Sequence, residues 1–161
     1  MKRARELTAA VLIPLVLALL VWGPLWAWAL LAGLACGAAL WEFHRLIECS
    51  GWIAPRSLSL VLFAAILVAG YLGSAPLLVA ATGAVLVGLP TVVLLAAPKE
   101  PVWLGSSAAT SFATLYVGAG GAAIVALRGI GWEPGLFLLL VVWAGGSAAY
   151  YVGTRLGKRR L

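Results

Sequence analysis

The chain has 161 residues, of which 64% are hydrophobic and 10% charged, and a formal net charge of +6. A soluble domain carries about 25% charged residues, so this composition excludes an ordinary soluble enzyme and points to a protein whose solvent is lipid. Asp, Asn and Gln are absent altogether, which leaves few side chains for chemistry.

A helix of roughly 20 apolar residues crosses the hydrocarbon core and satisfies its backbone hydrogen bonds internally, as lipid requires. Six such spans are predicted, at about residues 7–22, 25–41, 58–72, 77–97, 108–127 and 136–152. The fold class that follows is all-α, a polytopic transmembrane helix bundle forming one membrane domain over residues 1–161. Turn residues separate the spans: Gly23-Pro24, then Ser50-Gly51 through Pro55, Gly73 through Pro76, Pro98 through Pro101, and Gly129 through Gly135.

The basic residues give the expected direction of the chain. Lys2, Arg3 and Arg5 precede the first span, Arg45 and Arg56 follow the second, Lys99 follows the fourth, and Arg155, Lys158, Arg159 and Arg160 follow the sixth. These loops lie on one side, and only Arg128 falls opposite. Cytoplasmic loops are enriched in Lys and Arg, so both termini are expected in the cytoplasm, in a bacterial-type inner membrane. The positive charge reads as a topology signal and not as a nucleic-acid footprint, because it is spread over short segments. A basic start, an apolar run and the small-residue pattern Ala27-Trp28-Ala29 also resemble a signal peptide. The apolar run continues to Leu40, however, so a retained first helix is expected.

Several residues stand out along the way. Pro14 and Pro90 lie inside spans and are expected to bend them. Gly33 and Gly37, and the small face made by Gly118, Gly120 and Gly121, are expected at close helix contacts. Most Trp residues fall at span ends, where the interface favours amphipathic rings. Trp143 lies mid-span and is expected to pack inside the bundle or line a cavity, with a lipid-facing position as the alternative. Cys36 and Cys49 lack metal-ligand spacing. Glu42, His44, Arg45 and Glu48 cluster after the second span; His44 and Glu48 could share a helix face, but a solvated interfacial helix end is the expected reading. No ionisable residue falls within a span, which argues against a pump or ion-coupled transporter.

The most unusual segment is residues 142–161, V-W-A-G-G-S-A-A-Y-Y-V-G-T-R-L-G-K-R-R-L. Its small residues permit close approach of a helix or ligand. Its basic end is expected either to anchor the chain at the cytoplasmic face or to bind the phosphate of a lipid or nucleotide.

That segment resembles one carried in mid-chain by phosphatidate cytidylyltransferases (CDP-diacylglycerol synthases), roughly V-W-A-x-D-x-x-A-Y-x-x-G-R-x-x-G-K-x-x-L. The front is similar too: a basic start, Thr8 through Leu15 reading T-A-A-V-L-I-P-L, and Leu40-Trp41-Glu42-Phe43 closing the second span. Thr114 through Gly118, followed by Leu127-Arg128, is similar to the family's fifth-span region. The resemblance implies transfer of a cytidylyl group from CTP to phosphatidate, with pyrophosphate released and Mg²⁺ as cofactor. It further implies substrate contacts at Ser147, Tyr150, Arg155, Lys158 and Arg159, with no metal ligand evident; assembly as a homo-oligomer is left open by the sequence.

The departures are specific. Gly146 stands where the family pattern has Asp, Thr154 stands where it has Arg, and the chain ends at Leu161, where the pattern continues into a Ser-Pro-x-Lys loop and an Asp-rich signature. Mg²⁺ prefers carboxylate oxygens, and the acids here are only Glu6, Glu42, Glu48, Glu100 and Glu133. The chain is therefore expected to be the N-terminal portion of a larger enzyme, inactive alone, with a non-catalytic membrane remnant or assembly partner as the alternative.

Overall fold

The structure is a computed structural model that describes the backbone of residues 2–96 and 102–156 and the side chains of residues 12–96 and 102–154. The described residues form six helices: α1 (Lys2–Trp22), α2 (Leu25–Cys49), α3 (Arg56–Leu72), α4 (Ala75–Ala96), α5 (Val102–Ile130) and α6 (Trp132–Leu156). The chain is a membrane protein. Among the described residues α2, α4, α5 and α6 are long and apolar enough to cross a bilayer, while α3 and the described part of α1 are shorter apolar helices.

Two helices run well past the expected spans. α2 continues to Cys49 and α5 begins at Val102, because Trp41 through Cys49 and Val102 through Ser107 contain no Gly-Pro pair to stop a helix. The turns lie where the breakers stand. Gly73 closes α3 in the left-handed region, φ 62°, and the Ser74 N–H donates to the Ala69 carbonyl at 3.1 Å. Pro14 and Pro90 both sit inside continuous helices.

α5 is the central helix and packs against α2, α3, α4 and α6, with α1 lying against α6 and α2. Two apolar clusters hold the centre. Leu40, Phe63 and Ala113 join α2, α3 and α5; Ile66, Val85, Leu89 and Ala122 join α3, α4 and α5. With lipid outside, apolar surface has little to gain by leaving the solvent, so close packing and interhelical hydrogen bonds carry the association.

The expected glycine contacts are present at some positions and absent at another. A Cβ on Gly121 would lie 3.1 Å from Leu67 Cδ1, and one on Gly118 would lie 3.1 Å from Ile66 Cδ1. Gly33 faces Leu67 more tightly, at 2.8 Å, whereas Gly37 makes only ordinary contact with Phe63. Gly120 corrects the expectation: a Cβ there would meet nothing within 4 Å, because the position faces a groove on the bundle's surface. The tightest interhelical approach was not foreseen. A Cβ on Gly70 would come within 2.7 Å of Ala122 Cβ, so α3 and α5 cross there almost backbone to backbone.

Among the described side chains one end of the bundle carries two arginines, Arg45 and Arg56, with Glu42 and Glu48; the other end carries Arg128 and Glu133. The first is called the basic end because most of the chain's Lys and Arg flank the helices on that side in the sequence. Arg128 donates from Nη2 to the Gly23 carbonyl at 3.0 Å and so ties the α1–α2 turn to the end of α5. Trp28 adds a second tie from Nε1 to the Ile124 carbonyl at 3.3 Å.

Candidate functional site at the basic end

At the basic end, the loop from Ser50 to Pro55 folds back on α5. The Ile53 N–H donates to Ser106 Oγ at 2.9 Å, and the Trp52 ring covers Gly105, where a Cβ would lie 2.8 Å from the ring. Arg56, at the first position of α3, donates to both carboxylate oxygens of Glu48, with Nε to Oε1 at 2.7 Å. Its guanidinium also lies 4.8 Å from the centroid of Trp41, a cation–π contact.

His44 was expected at a solvated helix end and is instead completely buried. The reason is its register: Leu40, His44 and Ile47 fall on one stripe of α2 at helical spacing, and all three are buried. Its side chain meets Ser59 of α3, with Nε2 to Oγ at 2.9 Å, and Ser59 Oγ lies 2.6 Å from Thr114 Oγ1 of α5. The hydrogens in this chain can be assigned. Thr114 spends its only hydroxyl hydrogen on the Thr110 carbonyl at 2.7 Å, so Ser59 must donate to Thr114. Ser59 then has only a lone pair for His44, and Nε2 carries the ring hydrogen. Glu48 points elsewhere, to Arg56, so the His44 and Glu48 pairing on one face does not form.

Ser106, Ser107, Thr110, Ser111 and Thr114 form a buried hydroxyl stripe along α5. His44 Nδ1 and the hydroxyls of Ser107, Thr110 and Ser111 are buried without a partner among the described residues. This seam escaped the sequence reading, although its signal was available: serines and threonines at four-residue spacing, in a chain that has no Asp, Asn or Gln.

Of the residues expected to meet substrate, Ser147, Tyr150 and the backbone of Arg155 lie on the last part of α6. Ser147 and Tyr150 are exposed, and Tyr150 packs edge-on against Tyr151 with ring centroids 5.7 Å apart. Thr154 donates to the Tyr150 carbonyl at 2.9 Å. Position 155 continues the helical face of Ser147 and Tyr151 at four-residue intervals. The side chain of Arg155, and all of Lys158 and Arg159, lie outside the described residues. Trp143 is half-buried. Every side chain from Ala144 to Thr154 is exposed, and a Cβ on Gly145, Gly146 or Gly153 would meet nothing within 4 Å. An aspartate at position 146 would therefore meet no steric obstacle.

The acids whose side chains the structure describes do not assemble into a site for a Mg²⁺ ion, and Glu6 and Glu100 lie outside that set. Among the described residues no three His, Cys, Asp or Glu side chains come together. At the basic end Glu48 is committed to Arg56, and Glu42 sits six residues earlier on α2, about 120° around the helix. Glu133 stands at the opposite end.

Comparison with known proteins agrees with the resemblance seen in the sequence. A family model described as the cytidylyltransferase family matches residues 3–161. Searches of curated proteins and of solved structures found no match.

Proposed function

Because this chain belongs to the cytidylyltransferase family, we propose that it serves the transfer of a cytidylyl group from CTP to phosphatidate at the cytoplasmic face of an inner membrane. The observation that carries this reading is the family match over residues 3–161. Arg155 and the basic residues that follow it in the sequence suit it as well, since they would meet lipid and nucleotide phosphates at the membrane surface. In this reading Ser147 and Tyr150 face the substrate, and Arg155, Lys158 and Arg159 form a cationic rim that binds and orients it.

The transfer joins a phosphatidate oxygen to the α-phosphorus of CTP and expels pyrophosphate. Such reactions rest on positioning and on cations that neutralise developing charge. The described residues hold no carboxylate cluster for Mg²⁺, so in this reading the metal-holding carboxylates lie outside them, and the exposed part of α6 leaves room for such groups to approach.

The test is CTP-dependent formation of CDP-diacylglycerol in membranes containing these 161 residues, with phosphatidate and Mg²⁺ added. No turnover above control membranes is expected, and robust turnover would overturn the incomplete-site reading. Failure of the chain to retain either phosphatidate or CTP would overturn the functional reading itself and favour a non-catalytic membrane component.

A further inference from the structure

A groove of about 700 Å³ runs between α2 and α5 on the outside of the bundle, lined among others by Ala35, Ala39, Tyr116 and Gly120. Gly121 forms part of its floor against Cys36, while Gly120 leaves its wall open. Small side chains on both helices keep the groove clear, and its depth along two membrane-spanning helices opens it to lipid tails. Tyr116 stacks on Phe112 with centroids 5.5 Å apart, and Phe112 lies 6.5 Å from Phe43. This aromatic ridge borders the groove toward the basic end.

The same face of α2 leads to a second depression of about 330 Å³, lined by Glu42, Arg45, Leu46 and Cys49. Ala35, Ala39, Glu42, Leu46 and Cys49 follow one another at four- and three-residue steps, so one stripe of α2 joins the two depressions. Glu42 lies about one helical turn beyond Ala39, roughly 4.5 Å along the axis. Glu42 and Arg45 are both exposed, and among the described residues neither takes part in an ion pair; Glu48, one turn beyond Arg45, is held by Arg56.

We propose that this continuous face binds one phospholipid whose headgroup is zwitterionic and carries a primary ammonium. Arg45 takes the phosphate, Glu42 accepts hydrogen bonds from the ammonium, and an acyl chain lies in the groove beside Ala39 and Gly120. The charge pattern selects this occupant. Residues three apart on a helix hold their Cβ atoms about 5–6 Å apart, which suits a phosphate and an amine separated by two carbons. A purely anionic headgroup would meet repulsion from Glu42. A quaternary ammonium has no N–H to give the carboxylate. A helix packed into the groove would use its small residues but would leave Glu42 and Arg45 without a role. This lipid site is independent of the proposed transferase role, because its residues are not those assigned to substrate.

The test is native mass spectrometry of the purified 161-residue chain released from detergent containing equal amounts of phosphatidylethanolamine, phosphatidylcholine and phosphatidylglycerol. The chain should retain the ethanolamine lipid about fivefold over either competitor, the scale of one partly exposed charge contact. Glu42→Gln should bring its preference over phosphatidylglycerol to parity while total lipid retention persists. Arg45→Gln and Gly120→Leu should each lower the retention of all three lipids. Equal retention of the three by the unmodified chain would overturn the proposal, as would a preference that Glu42→Gln leaves intact. A lipid-free dimer that Gly120→Leu dissociates would also overturn it and assign the groove to a second copy.

Discussion

His44 on α2 and Ser59 on α3 share a hydrogen bond of 2.9 Å in the interior of the bundle, and Ser59 passes the connection to Thr114 of α5 at 2.6 Å. Three helices are thus joined by one line of donors that ends on the Thr110 carbonyl. Ser59→Ala removes the middle of the line and strands the His44 Nε2 hydrogen, since no lone pair replaces the hydroxyl. Leaving one buried donor unpaired costs about 1–3 kcal/mol, and interhelical hydrogen bonds in membranes average at the lower end of that scale. The expected loss is therefore about 1–2 kcal/mol for Ser59→Ala and near zero for Ser57→Ala, whose residue is exposed. Reversible unfolding in mixed detergent micelles measures both; equal effects would show that the line does not hold the helices.

The crossing of α3 and α5 makes a second comparison possible. Gly70→Ala places a methyl 2.7 Å from Ala122 Cβ, with the Ala122 backbone next in line, so the helices must separate. Overpacking of this kind costs about 1–3 kcal/mol. At Gly83 in α4 an added methyl meets nothing within 4 Å, and Ala is the better helix former by about 1 kcal/mol. Unfolding should show Gly70→Ala destabilised and Gly83→Ala unchanged or stabilised; the reverse order would contradict the packing described.

Much of this architecture was legible in the residues, and the exceptions have physical causes. Six apolar runs and their Gly and Pro breakers mark six helices because lipid leaves a backbone no other economical way to cross. The ends of α2 and α5 were less legible. Hydropathy falls after Trp41, yet nothing there stops a helix, and the stripe of Leu40, His44 and Ile47 continues the buried face of α2. His44 followed that stripe inward instead of following the charges of Glu42, Arg45 and Glu48 beside it. Arg128 read only as the lone basic residue opposite the others, since a hydrogen bond to the Gly23 carbonyl depends on a crossing 105 residues apart in the chain. The substrate positions on α6 could be read only through resemblance, because spacing alone does not tell a phosphate site from an anchor.

Orientation in the membrane is open to chemical labelling. Cys49 is exposed at the basic end, whereas Cys36 is partly buried at span depth beside Gly121. If the basic end faces the cytoplasm, a membrane-impermeant maleimide should leave intact spheroplasts unlabelled and should label inverted vesicles at Cys49. Cys49→Ser should abolish that labelling. Modification of Cys49 from the outside of sealed spheroplasts would reverse the topology and remove the proposed catalytic face from the cytoplasmic nucleotide pool.

The transferase reading rests most directly on whether the end of α6 holds phosphatidate. The decisive measurement is binding of labelled phosphatidate, against diacylglycerol as the uncharged control, to the purified chain and to a variant with Arg155, Lys158 and Arg159 all changed to Gln. Each basic residue near a membrane surface contributes about 1 kcal/mol toward an anionic headgroup. The chain should therefore bind phosphatidate in preference to diacylglycerol, and the triple variant should lose more than about tenfold in affinity. Equal binding of the two lipids by the unmodified chain, or phosphatidate binding untouched by the three substitutions, would contradict the account.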